Sequence, residues 1–357
     1  MSSMRAKSHK VVHFVSSMDQ GGIQKVVAMV SSNTVEFFEN IIVSKRVRPW
    51  VFAVADQVER VELFPRNNGS LPMAVLRLRR FLRKVKPTVI VAHGNRNGPV
   101  AVLAALCLVT RVVIVEHSVS TDLVSRPYRL LRFILYPFAS RVLVISTDQI
   151  RSYPYAKVRY MPNPVSLPRK SVINVASHDQ LRVAFVGRLH SVKRVDHILM
   201  AVACAKRSIP ITLEIVGAGP EEDSLRSVAD QLSLRDSVIF HGWLKDPGLV
   251  LAKCQLLALT SKYEGFPMAV IEAMAMGVIP VAYRTSGGIS DLIFEKRNGR
   301  LLDEEEPELL GQVFIELFRD AEQRSALSKA AFRSAQQYGI DNVARKWKKM
   351  IERISLS

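Results

Sequence analysis

Short apolar runs recur along this chain, and stretches of helical length separate them. In the first half they read VVHFVS, NIIVS, TVIVAH, RVVIVEH and RVLVIS; in the second, RVAFVG, ITLEIVG, SVIFHG, QLLALTS and VIPVAY. A strand that is apolar throughout must be covered on both faces, and a helix between two strands brings the second back parallel to the first. The pattern predicts α/β architecture with two doubly wound, Rossmann-like sheets. Such sheets bind ligands beyond the carboxyl ends of their strands, which is where these runs close on small or polar residues. Between the halves, MPNPVSLPRKSVINVASHD carries three prolines and reads as a linker with the break near residue 167. The expected organisation is a domain over 1–167, a second over 168–340, and a basic terminal helix over 341–357.

Charge divides the same way. Residues 1–167 carry 24 Lys and Arg against 9 Asp and Glu, a balance of +15, whereas residues 168–357 carry 26 against 23, or +3. A basic first half implies a polyanionic partner, either nucleic acid or an anionic membrane surface. Aromatic residues make up only 7% of the chain, and the basic segments lack the stacking platforms of nucleic-acid modules, which argues against nucleic acid. The three cysteines are far apart in apolar contexts, without metal spacing or a disulfide framework, so a reducing, cytoplasmic compartment is expected. The N-terminal MSSMRAKSHK is basic but lacks the long apolar region of a signal peptide. The most apolar longer run is broken by Arg111 and falls short of the roughly 20 apolar residues of a membrane-spanning helix.

One segment carries more chemistry than the others: SKYEGFPMAVIEAMAMG, residues 261–277. Pro267 suits the first turn of a helix and Gly277 its end. The helix between them would be buried all round, with the single carboxylate of Glu272 inside it and Glu264 just ahead. Free amides of Phe266 and Met268 would face a ligand at that end. Glu272 could take two hydrogen bonds from a vicinal diol such as a ribose. Read alone, Glu264 is equally a capping carboxylate, and Glu272 equally the partner of an arginine.

The spacing EGFPMAVIE followed by AMAMGVIPVA resembles the signature of the retaining GT-B glycosyltransferases of family 4, also called glycosyl transferases group 1. That resemblance spans most of the chain. It implies a fold of two Rossmann-like domains facing each other across a cleft, with the terminal helix crossing back to the first. It also implies that Glu264 lies by the transferred sugar, that the backbone around Gly265, Phe266, Pro267 and Met268 contacts sugar hydroxyls, and that Glu272 binds the ribose. VAFVGRLHSVKRVDHIL resembles the family's strand, Gly-Arg-Leu turn and Lys, which assigns Gly187, Arg188 and Lys193 to the donor diphosphate. Two cations there would offset the charge that grows on the departing nucleotide; taken singly they read as surface charges. SMDQGGIQKVVAMV resembles the family's Gly-Gly loop, where Gly21 and Gly22 let the backbone approach phosphate or acceptor. His117, at a strand end, matches a histidine the family often holds near the reacting sugar, and His93 is placed similarly; a lone histidine there is otherwise a structural residue. Gln24-Lys25 and Ser290-Asp291 depart from the family's usual acidic residue with Arg and its usual Pro-Glu, which bears on acceptor contacts.

The expected activity is retaining transfer of a sugar from a nucleotide-diphospho-sugar to a saccharide or lipid-linked acceptor, in cell-envelope polysaccharide or lipopolysaccharide biosynthesis. No Asp-x-Asp occurs in the chain, so no metal and no cofactor are expected. Segments 71–87 and 125–141 interleave arginines with large apolar residues, as in helices lying on an anionic lipid surface, which makes the protein peripheral on the inner face of the cytoplasmic membrane. The plainer reading of each is a covering helix with a solvated basic face. Two rival functions are a sugar-nucleotide epimerase of the same architecture and, on charge alone, a nucleic-acid-binding protein.

Overall fold

A computed structural model describes residues 9–19, 21–46, 48–63, 70–117, 126–153, 157–168, 179–303 and 305–356, with the side chains of Arg126 and Pro127 outside the description. Most of the basic N-terminus, the linker from 169 to 178 and Ser125 of the second basic segment lie outside the described residues. By internal contacts the chain forms two compact units, Met1–Pro164 with Ile340–Ser357, and Val165–Gly339. Among the described residues no helix is long and apolar enough to cross a membrane.

The first unit holds seven parallel strands: β1 (Lys10–Val15), β2 (Glu39–Ser44), β3 (Glu59–Glu62), β4 (Val89–His93), β5 (Arg111–Glu116), β6 (Arg141–Val144) and β7 (Val158–Tyr160). Their order is β3-β2-β1-β4-β5-β6-β7, so Val12 of the inner strand β1 lies between Ile41 and Ile90. The order turns between β1 and β4, the switch point at which open parallel sheets bind ligands. Four helices follow the strands: α1 (Gly22–Asn33), α2 (Leu71–Val85), α3 (Asn97–Ala105) and α4 (Arg126–Leu135). The chain's last helix, Ile340–Leu356, packs on α1 and buries Trp347. Helix α2 buries Ala74, Leu78 and Leu82, one face at a spacing of four. It stops at Val85, short of residue 87, because Lys86 turns left-handed (φ 49°) and returns its N–H to the Leu82 carbonyl ahead of Pro87.

Helix α4 departs from the expectation of a uniformly lipid-facing segment. Arg132 is buried: it pairs with Glu116 at 3.5 Å and donates to Tyr153 Oη at 2.5 Å, while Tyr136 donates to Glu116. A buried carboxylate needs such partners, which is why one arginine of the segment turns inward. Leu135 is also buried, leaving Leu130, Phe133, Ile134 and Phe138 as the exposed apolar face.

The second unit has a six-stranded parallel sheet of order β10-β9-β8-β11-β13-β15, built from β8 (Leu181–Val186), β9 (Ile211–Val216), β10 (Val238–Gly242), β11 (Leu256–Leu259), β13 (Ile279–Tyr283) and β15 (Arg300–Leu302). A two-residue pair, β12 (Tyr263–Glu264) with β14 (Ser286–Gly287), sits apart from it. Its helices are α5 (Val195–Lys206), α6 (Glu222–Gln231), α7 (Gly248–Leu251), α8 (Met268–Met274), α9 (Ile289–Leu292), α10 (Pro307–Arg319) and α11 (Ala321–Gln336). Gly311 lets α10 close on α5, since a Cβ there would stand 2.8 Å from the Ala201 carbonyl.

Candidate functional site

In the second unit the loops after β8 and β11 are tied together at the carboxyl ends of their strands. Lys262 N–H donates to the Val192 carbonyl at 2.9 Å, Thr260 Oγ1 lies 2.7 Å from the Arg194 carbonyl, and Arg194 Nε donates to the Thr260 carbonyl at 2.7 Å. Arg194, itself left-handed at φ 46°, also pairs with Glu305 at 2.6 Å, and that hydrogen bond lowers the Glu305 pKa. This lacing fixes the geometry at its centre: Lys193 Nζ lies 2.5 Å from Glu264 Oε1, and Ser261 Oγ donates to the same oxygen at 2.6 Å.

Arg188 is exposed and has no hydrogen-bond or ion-pair partner among the described residues. Its loop is positioned by glycines that the sequence reading passed over. Gly217, at φ 148°, and Gly219 follow β9, and a Cβ on either would stand 1.8 Å from the Gly187 carbonyl or 2.1 Å from that of Leu189. Backbone bonds Gly187 N–H to Val216 O (3.0 Å) and Leu189 N–H to Ala218 O (3.1 Å) join the two loops. The signal was GAGPEE directly after an apolar strand.

Helix α8 corrects two expectations. It begins at Met268, with Pro267 outside it at ψ 90°. It is not buried all round: Met268, Ala269 and Glu272 are half-buried while Val270, Ile271, Ala273 and Met274 are buried. Residues 268 and 272 are four apart on the helix, so Glu272 lies on its partly open side and not inside the core. Gly288 clasps the segment from the other side, donating its N–H to the Gly265 carbonyl at 3.0 Å. Phe266 is buried edge-on to Tyr338.

In the first unit Gly21, at φ 150°, precedes α1, which opens at Gly22 with a glycine, and so no side chain, at its N-cap. At the carboxyl ends of β4 and β5 stand His93 and His117, and a third histidine the sequence reading did not single out, His13, completes a chain. His13 Nδ1 lies 3.2 Å from His93 Nε2, and His93 Nδ1 lies 3.1 Å from His117 Nε2. Trp347 covers the His13 and His93 rings. Burial pushes the pKa of His13 and of His117 down to about 4, and that of His93 well below its usual range, where its two neighbours add to the effect. All three are neutral at pH 7. Lys45 follows β2 and has its pKa lowered by burial and by Arg46 and Arg96.

The profile for Glycosyl transferases group 1 matches residues 168–334, and that for a Glycosyl transferase 4-like domain matches residues 2–164. Anabaena HepE, solved in complex with UDP-glucose, superposes with a TM-score of 0.79 over 97% of this chain and 100% of that one, at 19% identity. A sucrose-phosphate synthase from Thermosynechococcus elongatus gives 0.81 over 97% and 99%, at 16% identity. The fold is thus GT-B. Among sequences, a Campylobacter jejuni GalNAc-alpha-(1->4)-GalNAc-alpha-(1->3)-diNAcBac-PP-undecaprenol alpha-1,4-N-acetyl-D-galactosaminyltransferase is 22% identical over 97% of this chain and 99% of its own length. Poly(glycerol-phosphate) alpha-glucosyltransferase of Bacillus subtilis is 27% identical over 53% of this chain, which spans only 28% of that protein. With one profile on each unit, the chain belongs to the group 1 glycosyltransferases.

Proposed function

We propose that this protein moves a sugar, with retention of configuration, from a nucleotide-diphospho-sugar to a saccharide or lipid-linked acceptor in the building of a cell-envelope polysaccharide or lipopolysaccharide. The observation that carries the reading is the Lys193–Glu264 pair, with exposed Arg188 in the same strand-end loop as Lys193 and Glu272 on the partly open side of α8. In this reading the second unit binds the donor: Glu272 holds the ribose, and Arg188 takes the diphosphate. Lys193 shares itself between Glu264 and that diphosphate. As the glycosidic bond breaks, negative charge grows on the leaving phosphate, and fixed cations stabilise it without reorganisation. Glu264, oriented by Lys193 and Ser261, positions the transferred sugar. Attack on the same face as the departing phosphate accounts for retention without a protein nucleophile. Lys45, Arg46 and Arg96, on the first unit, suit an anionic acceptor such as a lipid-linked diphosphate. The likeness to a transferase named for an undecaprenol-linked substrate supports that choice.

The reaction in this reading needs no metal or other cofactor, so activity should survive EDTA; complete loss that added metal restores would overturn that part. The donor is tested by screening nucleotide-sugars for thermal stabilisation, where a ligand at a hundred times its Kd adds about 2.7 kcal/mol. Glu272→Ala should weaken donor binding and raise KM, whereas Glu264→Ala should chiefly lower kcat. Normal turnover in both folded variants would remove the proposed site, and release of an epimerised free donor in place of transfer would favour an epimerase.

A further inference from the structure

The three histidines of the first unit differ from a metal cluster in one respect: their nitrogens face one another in series instead of a common centre. A neutral imidazole carries one N–H, so each nitrogen–nitrogen contact needs a donor on one side and a lone pair on the other. The tautomers of His13, His93 and His117 are therefore coupled, and whatever fixes the first fixes the last.

Asn40 fixes the first. Its Nδ2 donates to the Ser31 carbonyl and to Thr34 Oγ1, each at 3.0 Å. Thr34 spends its own hydrogen on the Val30 carbonyl at 2.9 Å, so toward Asn40 it can only accept. The amide nitrogen is thus held by two acceptors, and a flipped amide would set oxygen against oxygen twice. Asn40 Oδ1 is left facing inward; it and His13 Nε2 are both buried without a partner of good geometry. Asn40 lies diagonally from His13 on the same face of β1 and β2, so the two unpartnered atoms share one buried side of the sheet. If Nε2 carried a lone pair, two buried acceptors would oppose each other; with a hydrogen on Nε2 they attract.

We propose that Asn40, His13 and His93 are positioning residues forming a one-way hydrogen-bond chain that holds His117 as its Nε2–H tautomer, with Nδ1 a bare acceptor. Donation runs from His117 Nε2–H to His93 Nδ1 and from His93 Nε2–H to His13 Nδ1, which leaves His13 Nε2–H as the polar hydrogen set against the unpartnered Asn40 Oδ1. The chain's open end, His117 Nδ1, has no partner among the described residues. It accepts a hydrogen bond from a sugar hydroxyl or an amide N–H and disfavours a phosphate or carboxylate oxygen, which has only lone pairs to offer. The tautomer assignment stands on the first unit alone; its use by substrate rests on the function proposed above.

The test is long-range proton–nitrogen NMR of the full chain labelled with 15N-histidine, which reports the ring nitrogen that bears hydrogen. At neutral pH all three histidines should be protonated on Nε2 and bare on Nδ1. Asn40→Leu, which removes the acceptor, should bring in the Nδ1–H form. Asn40→Leu should also cut kcat about tenfold, the worth of one net hydrogen bond, with nucleotide affinity unchanged. A native His117 protonated on Nδ1 would overturn the proposal whatever the activity, and the native spectrum decides it even if Asn40→Leu fails to fold. An intact pattern with no effect on kcat would leave the chain standing and remove its use by the sugar.

Discussion

Lys193 and Arg188 look interchangeable in the sequence, two cations five positions apart in one loop, yet their surroundings give them different roles. Lys193 is about one-quarter exposed and holds Glu264, whose side chain is about one-tenth exposed, whereas Arg188 is open to solvent. Removing Lys193 leaves a largely desolvated carboxylate with only the Ser261 hydroxyl, so Lys193→Ala should lower stability by roughly 1–3 kcal/mol as well as activity. Arg188→Ala should leave the urea midpoint within experimental error and still lower the rate on the order of 100-fold. Equal destabilisation by both would contradict the division of labour. Histidines give a second expectation. His13 and His117 have folded-state pKa values near 4, below the unfolded value of about 6.5, so the unfolded chain binds more protons between those limits. Their contribution to stability is complete above pH 6.5 and is lost as pH falls toward 4. Equilibrium unfolding across that range should show the decline, and His13→Asn should flatten it.

At the scale of elements, the sequence made the inner strands legible because they are apolar throughout and must be buried from both sides. It left β3, β7 and β15 unread: β3 is ERVE, largely exposed at a sheet edge, and the other two are three residues long, too short for any periodicity. The Glu-x7-Glu spacing was legible as a motif, but the partly open side of α8 was not, since an alanine or methionine half exposed beside a ligand surface reads the same as one in a core. Nor was the closeness of Lys193 to Glu264, 71 positions apart, which depends on how two strand-end loops are laced. The Gly217 loop shows how tight that lacing is. Any side chain there would overlap the Gly187 carbonyl and occupy a strained positive φ. Gly217→Ala should cost roughly 1–3 kcal/mol from backbone strain alone and more from the clash. It should also weaken donor binding by displacing Arg188, which denaturation and nucleotide titration together would detect; native-like values in both would mean that the loops move apart freely.

For the whole molecule, the excess positive charge falls in residues 1–167 while the Glu264–Glu272 segment proposed to hold the donor lies in the other half. We read that separation as one surface for the membrane and another for the nucleotide, and the first unit offers a specific face for the purpose. Helices α2, α3 and α4 lie side by side in that order. Along α4 and the turn after it Leu130, Phe133, Ile134 and Phe138 are each more than half exposed, and α2 adds Met73 and Leu76 about half exposed. Positions 130, 133 and 134 share one face of α4 and Phe138 follows on the next turn, the pattern of a segment that seats its apolar side among lipid chains. Exposed Arg77, Arg80, Arg83 and Lys84 on α2 supply attraction of roughly 1 kcal/mol each near an anionic surface, screened beyond a Debye length of about 8 Å at physiological salt. Because Arg132 is held inside by Glu116, its replacement would test folding instead of lipid binding. Leu130→Glu with Phe133→Glu touches the exposed stripe. The native protein should sediment with anionic vesicles, less so as salt rises and little with neutral ones, and the double variant should stay in the supernatant while binding the donor nucleotide as before. Equal binding to neutral and anionic vesicles would remove the electrostatic argument. An unaltered double variant would return α4 to an ordinary covering helix, with its apolar stripe left for a protein partner.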